Sequence, residues 1–266
     1  MNSKIPLHFA HANGFPAGSY RKLFKHLDSS YQVFALEKFA HDPRYPLNND
    51  WHNQAEELVD YIRMHTQQPV IAVGHSFGAT ISYIAACKYP QYFRSLIMLD
   101  PPLMTGLARY LFKWVKRTKL IDKVTPAGTT KYRNSQWHRS TDLHAYFASK
   151  ALFRNIDHEC IKDYIKAAIH TRDDRYELSF DKNIEAEVFR TIPSNITEFK
   201  GQLRIPAALL TGQFTNVCVP TLRRPFLKQN PNVQHLEISK GGHMFPLEQP
   251  IHVAQLINQL LGDWHH

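Results

Sequence analysis

The 266-residue chain is 43% hydrophobic and 21% charged, the proportions of a folded globular protein, and it is long enough for one large domain with a sizeable core. Its formal net charge of +9, with basic residues dense between Arg109 and Arg154, would suit nucleic acid, an anionic membrane or an acidic substrate. No nucleic-acid-binding motif accompanies it, so the reading is a solvated basic face and no nucleic-acid partner. No apolar run nears the roughly 20 residues of a membrane span, and the first residues carry no signal-peptide pattern, so a cytoplasmic protein is expected.

In chain order, KIPLHFAH (4–11) has a short strand pattern and is followed by the turn residues HANGFPAG. SYRKLFKHL reads as a helix through Tyr20, Leu23, Phe24 and Leu27, and YQVFALE (31–37) as a second strand. After the proline- and asparagine-rich loop FAHDPRYPLNN, a helix is predicted from Asp50, read as its N-cap, to His65. PVIAVG (69–74) is almost wholly apolar, as a parallel strand covered on both faces would be. ATISYIAACKYP reads as a helix ending before Pro90, and FRSLIMLD (93–100) as a fourth strand stopped by Pro101 and Pro102, which lack a backbone donor.

From Gly106 to about Lys200 the strand–helix alternation breaks down, and LARYLFKWV, STDLHAYFAS and HECIKDYIKAAI are helical in pattern. In the first of these Leu107, Leu111 and Trp114 share a stripe, with Lys113, Lys116 and Arg117 polar. The stripe is expected to pack onto its own domain, with contact to a membrane surface as the alternative. Alternation resumes with the strand RIPAALLTG (204–212), the helix TLRRPFLKQ, the strand VQHLEIS from Val233 and the helix IHVAQLINQLL (251–261). The pattern predicts an α/β fold with a mainly parallel sheet flanked by helices. Residues 1–105 and 201–266 form its core, and 106–200 form an inserted helical cap over the carboxyl ends of the strands.

The chemistry starts at Gly74-His75-Ser76-Phe77-Gly78, a G-x-S-x-G between a buried strand and a helix. A serine on so sharp a turn leaves no room for bulk two positions to either side, and the helix N-terminus favours negative charge beside it. Without that role Ser76 would only cap the helix. A serine nucleophile needs a general base; His243, in KGGHMFPLEQP after the last strand, stands in the terminal position of the order serine, acid, histidine. His75 is read as packing or support. The backbone N–H of Phe77, after the nucleophile, is one expected oxyanion donor. Cys87, Cys160 and Cys218 fit neither a disulfide framework nor a zinc site and read as small buried hydrophobes.

HANGFP after the first strand, GHSFGA, LDPP and GGHMFPLEQP, in that order with a helical insertion, resemble the α/β-hydrolase superfamily over nearly the whole chain. The resemblance implies a fold of about six strands, the two leading strands of many relatives being absent, and it implies a serine hydrolase. Many relatives carry the acid shortly after the strand that follows the cap, but TGQFTNVCVP (211–220) has no Asp or Glu; Thr215 or Asn216 stands near the usual place. Some relatives, including one group of haloalkane dehalogenases, take it from the end of the strand after the nucleophile helix, here Asp100. Glu248 is the rival, read as support for the loop before the last helix. The second oxyanion donor is expected from the loop after the first strand, where the family carries a His-Gly motif and this chain has HANGF, giving the backbone of Asn13 or of Phe15. The loop after the second strand, LEKFAH, lacks the family's common Asp-x-Arg-Gly-x-Gly pattern.

Together these give a carboxylic ester hydrolase acting through an acyl-enzyme with Ser76, His243 and Asp100, without metal or organic cofactor. Its substrate would be a small ester or acyl compound, anionic or amphiphilic if the basic cap takes part. Thioesterase, carbon–carbon bond hydrolase, perhydrolase and acyltransferase share the same triad, and a non-catalytic ligand-binding protein on the same fold is the alternative from another class. No feature of the sequence sets an oligomeric state.

Overall fold

The computed structural model describes residues 4–265. The first half holds the strands β1 (Ile5–Ala10), β2 (Tyr31–Phe34), β3 (Val70–His75) and β4 (Phe93–Leu99), with the helices α1 (Arg21–Lys25), α2 (His52–His65) and α3 (Phe77–Lys88) between them. An insertion follows: α4 (Ala108–Val115), α5 (Ile121–Val124), α6 (Ala127–Thr130), β5 (Gln136–His138), α7 (Leu143–Ala148), α8 (His158–Ala168), β6 (Ile169–Arg172), β7 (Arg175–Leu178) and α9 (Lys182–Arg190). The chain then returns through β8 (Ala207–Gly212), α10 (Pro220–Gln229), β9 (Val233–Ile238), α11 (Phe245–Glu248) and α12 (Pro250–His265).

Six strands form one sheet in the order β2-β1-β3-β4-β8-β9, every neighbouring pair parallel. This is the predicted fold class. Side chains alternate across it: Leu7, Phe9, Ile71, Val73, Ile97 and Leu99 join one apolar cluster, with Leu23 of α1 and Ile257 of α12. Val70, Ala72, Leu96 and Met98 join the other, with Leu58 of α2 and Ile81 of α3. Every residue of α3 from Phe77 to Cys87 is buried, which fits a segment with three alanines and no polar face. The three cysteines are buried and free.

The sheet order locates the site. From β1 the chain steps outward to β2, then returns past β1 to β3 and continues in the opposite direction. The crossovers therefore diverge at the carboxyl ends of β1 and β3, and open a crevice there. Ala10 and His75 end those two strands, so the HANGF loop and Ser76 flank the same opening.

Several elements depart from the sequence reading. The second strand stops at Phe34, and the helix read across Ser19–Leu27 is a 3₁₀ turn (Ala17–Tyr20) followed by the short α1. Asp50 does not cap α2; it sits at φ 71° in a 3₁₀ turn, and Trp51, at φ 56°, precedes the helix. Its carboxylate accepts instead from Lys116 Nζ at 3.0 Å and from the Ser194 N–H at 2.8 Å, fastening the insertion to the core. The insertion is not wholly helical: β5, β7 and β6 form a small antiparallel sheet, and Ile169, read as helical, begins β6. Strands of three or four residues are too short to show a period. Finally, the stripe of α4 expected to pack inward is exposed, with Leu107 86%, Leu111 66% and Trp114 58% accessible.

Candidate active site

Ser76 follows the last residue of β3 with φ 53° and ψ −117°, a left-handed conformation that a non-glycine residue adopts only when its surroundings hold it. Its N–H donates to Leu99 O at 2.8 Å. The flanking glycines are steric necessities. A Cβ on Gly74 would lie 2.6 Å from Ala79 N in the following helix, and one on Gly78 would lie 2.1 Å from Ala10 O at the end of β1. Backbone on both sides cannot yield, so the close fit of β1, β3 and α3 requires glycine at both positions.

Ser76 Oγ lies 3.1 Å from His243 Nε2, and His243 Nδ1 lies 2.6 Å from Asp100 Oδ2. With Nδ1–H donated to the carboxylate, Nε2 is left as an acceptor for the serine hydroxyl. Asp100 is fully buried at the end of β4, with φ 47°. Its N–H donates to Leu210 O at 2.8 Å, its Oδ2 accepts from Thr215 Oγ1, and its Oδ1 accepts from the Gly212 N–H at 3.4 Å. Thr215 thus supplies a donor, from the segment after β8, to the carboxylate that follows β4. Glu248 is not in this chain of bonds; its Oε2 accepts from the Gly242 N–H at 2.8 Å and steadies the loop carrying His243.

His75 is fully buried, and its ring bonds to Tyr20 and to the His243 backbone. Its Nε2 is 3.0 Å from the carbonyl oxygen of His243, which can only accept, so Nε2 carries the proton. Its Nδ1 then accepts from the Tyr20 hydroxyl at 2.7 Å, and Tyr20 accepts from the Ala12 N–H at 3.3 Å. One buried relay thereby joins the loop after β1 to the backbone of His243. Burial holds the His75 ring well below the usual imidazole pKa, so it stays neutral.

Of the three backbone donors singled out for an oxyanion, Phe15 is committed elsewhere, its N–H donating to Ala12 O at 3.0 Å within a turn. Among the described residues the N–H groups of Phe77 and Asn13 have no acceptor. The Asn13 side chain donates to Glu185 O of α9 at 2.9 Å.

Above Ser76 lies a cavity of about 890 Å³, walled by apolar side chains of the insertion such as Phe112, Trp137, Phe147 and Phe153. Polar side chains interrupt this wall, among them an ion pair that no local motif announces. Arg133 Nη1 donates to both carboxylate oxygens of Glu185 at 2.8 and 2.7 Å, and Nη2 donates to Tyr164 OH at 3.0 Å. Burial raises the Glu185 pKa and the Arg133 charge opposes that rise. The two residues are 52 positions apart and neither belongs to a local motif, so only tertiary structure pairs them. Among the described residues no group of three or more His, Cys, Asp or Glu side chains is placed to hold a metal ion.

The model of the alpha/beta hydrolase fold family matches residues 11–250, most of the chain. The protein belongs to the alpha/beta hydrolase family. This alpha/beta hydrolase is 25% identical over 171 residues to a monoglyceride lipase homolog of Monkeypox virus, covering 56% of this chain and 62% of that one. It is 20% identical over 208 residues to the type I acyl-CoA thioesterase mpaH of Penicillium brevicompactum, covering 76% of this chain and 43% of that one. The chain thus spans between about two fifths and three fifths of these relatives' lengths. Among solved structures, the peroxisomal alpha-beta-hydrolase Lpx1 of Saccharomyces cerevisiae superposes with a TM-score of 0.81 at 15% identity, over 98% of this chain and 77% of that one. At that identity the likeness is one of fold.

Proposed function

We propose that this alpha/beta hydrolase cleaves a carboxylic ester through an acyl-enzyme, with Ser76 as nucleophile, His243 as general base and acid, and Asp100 as the carboxylate that orients it. The observation that carries the reading is the continuous chain Ser76 Oγ–His243 Nε2 at 3.1 Å and His243 Nδ1–Asp100 Oδ2 at 2.6 Å beneath a largely apolar cavity. His243 Nε2 takes the hydroxyl proton as Ser76 Oγ attacks the carbonyl carbon. The oxyanion receives the N–H groups of Phe77 and Asn13. Imidazolium, stabilised by Asp100, then protonates the departing alcohol. Water repeats the sequence on the acyl-enzyme and frees the acid. The insertion between residues 106 and 200 acts as the cap that selects the acyl group through its apolar wall.

A thioester is the second substrate class on the same machinery, favoured by the acyl-CoA thioesterase names among the relatives. Turnover across paired oxygen esters and thioesters of graded acyl length, with Ser76→Ala as control, tests both. Ester turnover that Ser76→Ala abolishes supports the reading. Turnover confined to thioesters replaces the ester by its sulfur analogue, and no turnover of either class contradicts the reading.

A further inference from the structure

The helix α4, with Leu107 just before it, carries apolar side chains on two faces. On the inner one Phe112 lines the cavity and Val115 is buried. On the outer one Leu107, Tyr110, Leu111 and Trp114 recur at i, i+3, i+4 and i+7, within an arc of about 100°. They are 86%, 60%, 66% and 58% exposed. Among the described residues, seven of the eleven exposed large hydrophobic side chains fall between Leu107 and Tyr132. Single exposed hydrophobics need no partner, but a contiguous group marks an interaction surface.

The charges around the group say what covers it. Lys113, Arg117, Lys119 and Lys123 are exposed at its margin. The one acidic residue in the segment, Asp122, is held by Lys131 and Arg190 at 3.1 and 2.7 Å. A two-fold contact with a second copy would set this basic margin against an identical basic margin, like charge against like. A polyanion without an apolar layer would satisfy the lysines and leave Leu111 and Trp114 in water. A surface with both an anionic layer and an apolar layer beneath it matches the whole pattern, and leucine and tryptophan beside lysine and arginine are the composition of helices lying in a membrane interface. The patch also adjoins the cavity, since Val124 is 60% exposed and lines it.

We propose that this face docks on an anionic lipid surface, with Leu107, Leu111 and Trp114 entering the headgroup layer and Lys113 and Arg117 meeting lipid phosphates. The inference stands apart from the role of Ser76 and is tested without activity. The full chain is sedimented with phosphatidylcholine vesicles and with phosphatidylcholine vesicles containing phosphatidylglycerol, while tryptophan emission is followed. The expected result is binding to the anionic vesicles, weakened by salt, with a blue shift that Trp114→Phe removes. Leu111→Ser with Trp114→Ser should lower the affinity at least about tenfold, as should Lys113→Glu with Arg117→Glu, at an unchanged melting temperature. Three results would overturn the proposal: no binding by the wild-type chain, equal binding to both kinds of vesicle, or binding that the serine pair leaves intact. A wild-type dimer that the serine pair converts to monomers, with no vesicle binding, would assign the patch to a second copy and also overturn it.

Discussion

At the scale of single residues, Asp100 stands at a strand end with a strained backbone and no exposed atoms, held by Gly212, Thr215 and His243. If it orients His243, Asp100→Asn should cut ester turnover by about 10⁴-fold, through the wrong imidazole tautomer, with little change in melting temperature. Glu248→Gln should stay within a few-fold of wild type, and near-normal turnover in Asp100→Asn would refute the assignment. Thr215→Val, which removes one donor to the carboxylate, should lower turnover about tenfold. Tyr20→Phe leaves His75 Nδ1 and the Ala12 N–H without partners, at a cost of about 1–3 kcal/mol. Because that relay ends on the His243 backbone, the variant should lose kcat at an unchanged KM, whereas a change in melting temperature alone would mean that the relay only stabilises the fold. Ser76 and His243 were legible because their signals are local: an elbow between a strand and a helix, and a glycine-flanked histidine after the last strand. Asp100 was legible through resemblance. Thr215 was not, since its bond to Asp100 arises from the pairing of β4 with β8 and has no counterpart in local sequence.

At the scale of elements, two contacts fix how the site is held. The first is the approach of α3 to β1 at Gly78. Gly78→Ala would place a methyl 2.1 Å from Ala10 O, in backbone that cannot move without shifting both Ser76 and the HANGF loop. We expect loss of soluble protein, or a melting temperature lowered by about 5 °C or more, on the order of a 3 kcal/mol defect; a wild-type melting curve would mean that the strand and helix separate easily. The second is Asp50, which joins Lys116 after α4 to Ser194 after α9. Asp50→Asn leaves the Lys116 ammonium, only 7% exposed, without its counter-charge. The expected cost is about 2 kcal/mol, below the roughly 3–5 kcal/mol of a fully buried pair, because the Asp50 side chain is 23% exposed. Chemical denaturation measures it, and an unchanged midpoint would rule the link out. The core strands and helices could be read from sequence because buried parallel strands and their crossovers carry strong patterns. The insertion could not: its three strands are short, and α4 is apolar on two faces, so periodicity alone does not tell which one turns inward.

At the scale of the whole molecule, β1 and the loop that follows it carry buried histidines that are neutral in the fold. Burial lowers the pKa of His8 from 6.5 to about 3 and that of His11 to about 4. His8 lies among the rings of Phe34, Phe39 and Tyr61, and neither ring nitrogen has a partner among the described residues. The unfolded chain binds these protons below pH 6.5 and the folded chain does not until much lower. Stability is therefore full above pH 6.5 and falls progressively toward the folded values. From pH 7 to pH 5 each residue should cost about 2 kcal/mol. His8→Phe should reduce the loss on acidification by that amount, and an equal loss in the variant would contradict it. The parallel six-stranded architecture followed from alternation along the chain, whereas the buried histidines could not be told from the other histidines of the sequence, since composition carries no burial. The proposed chemistry requires Ser76 to be a nucleophile activated by His243. Its most direct test is intact-mass analysis after exposure to a fluorophosphonate. A single adduct mapping to Ser76, absent from Ser76→Ala and slowed strongly in His243→Ala, is the expected result; no adduct on the folded wild-type chain, or equal labelling of Ser76→Ala, would contradict it.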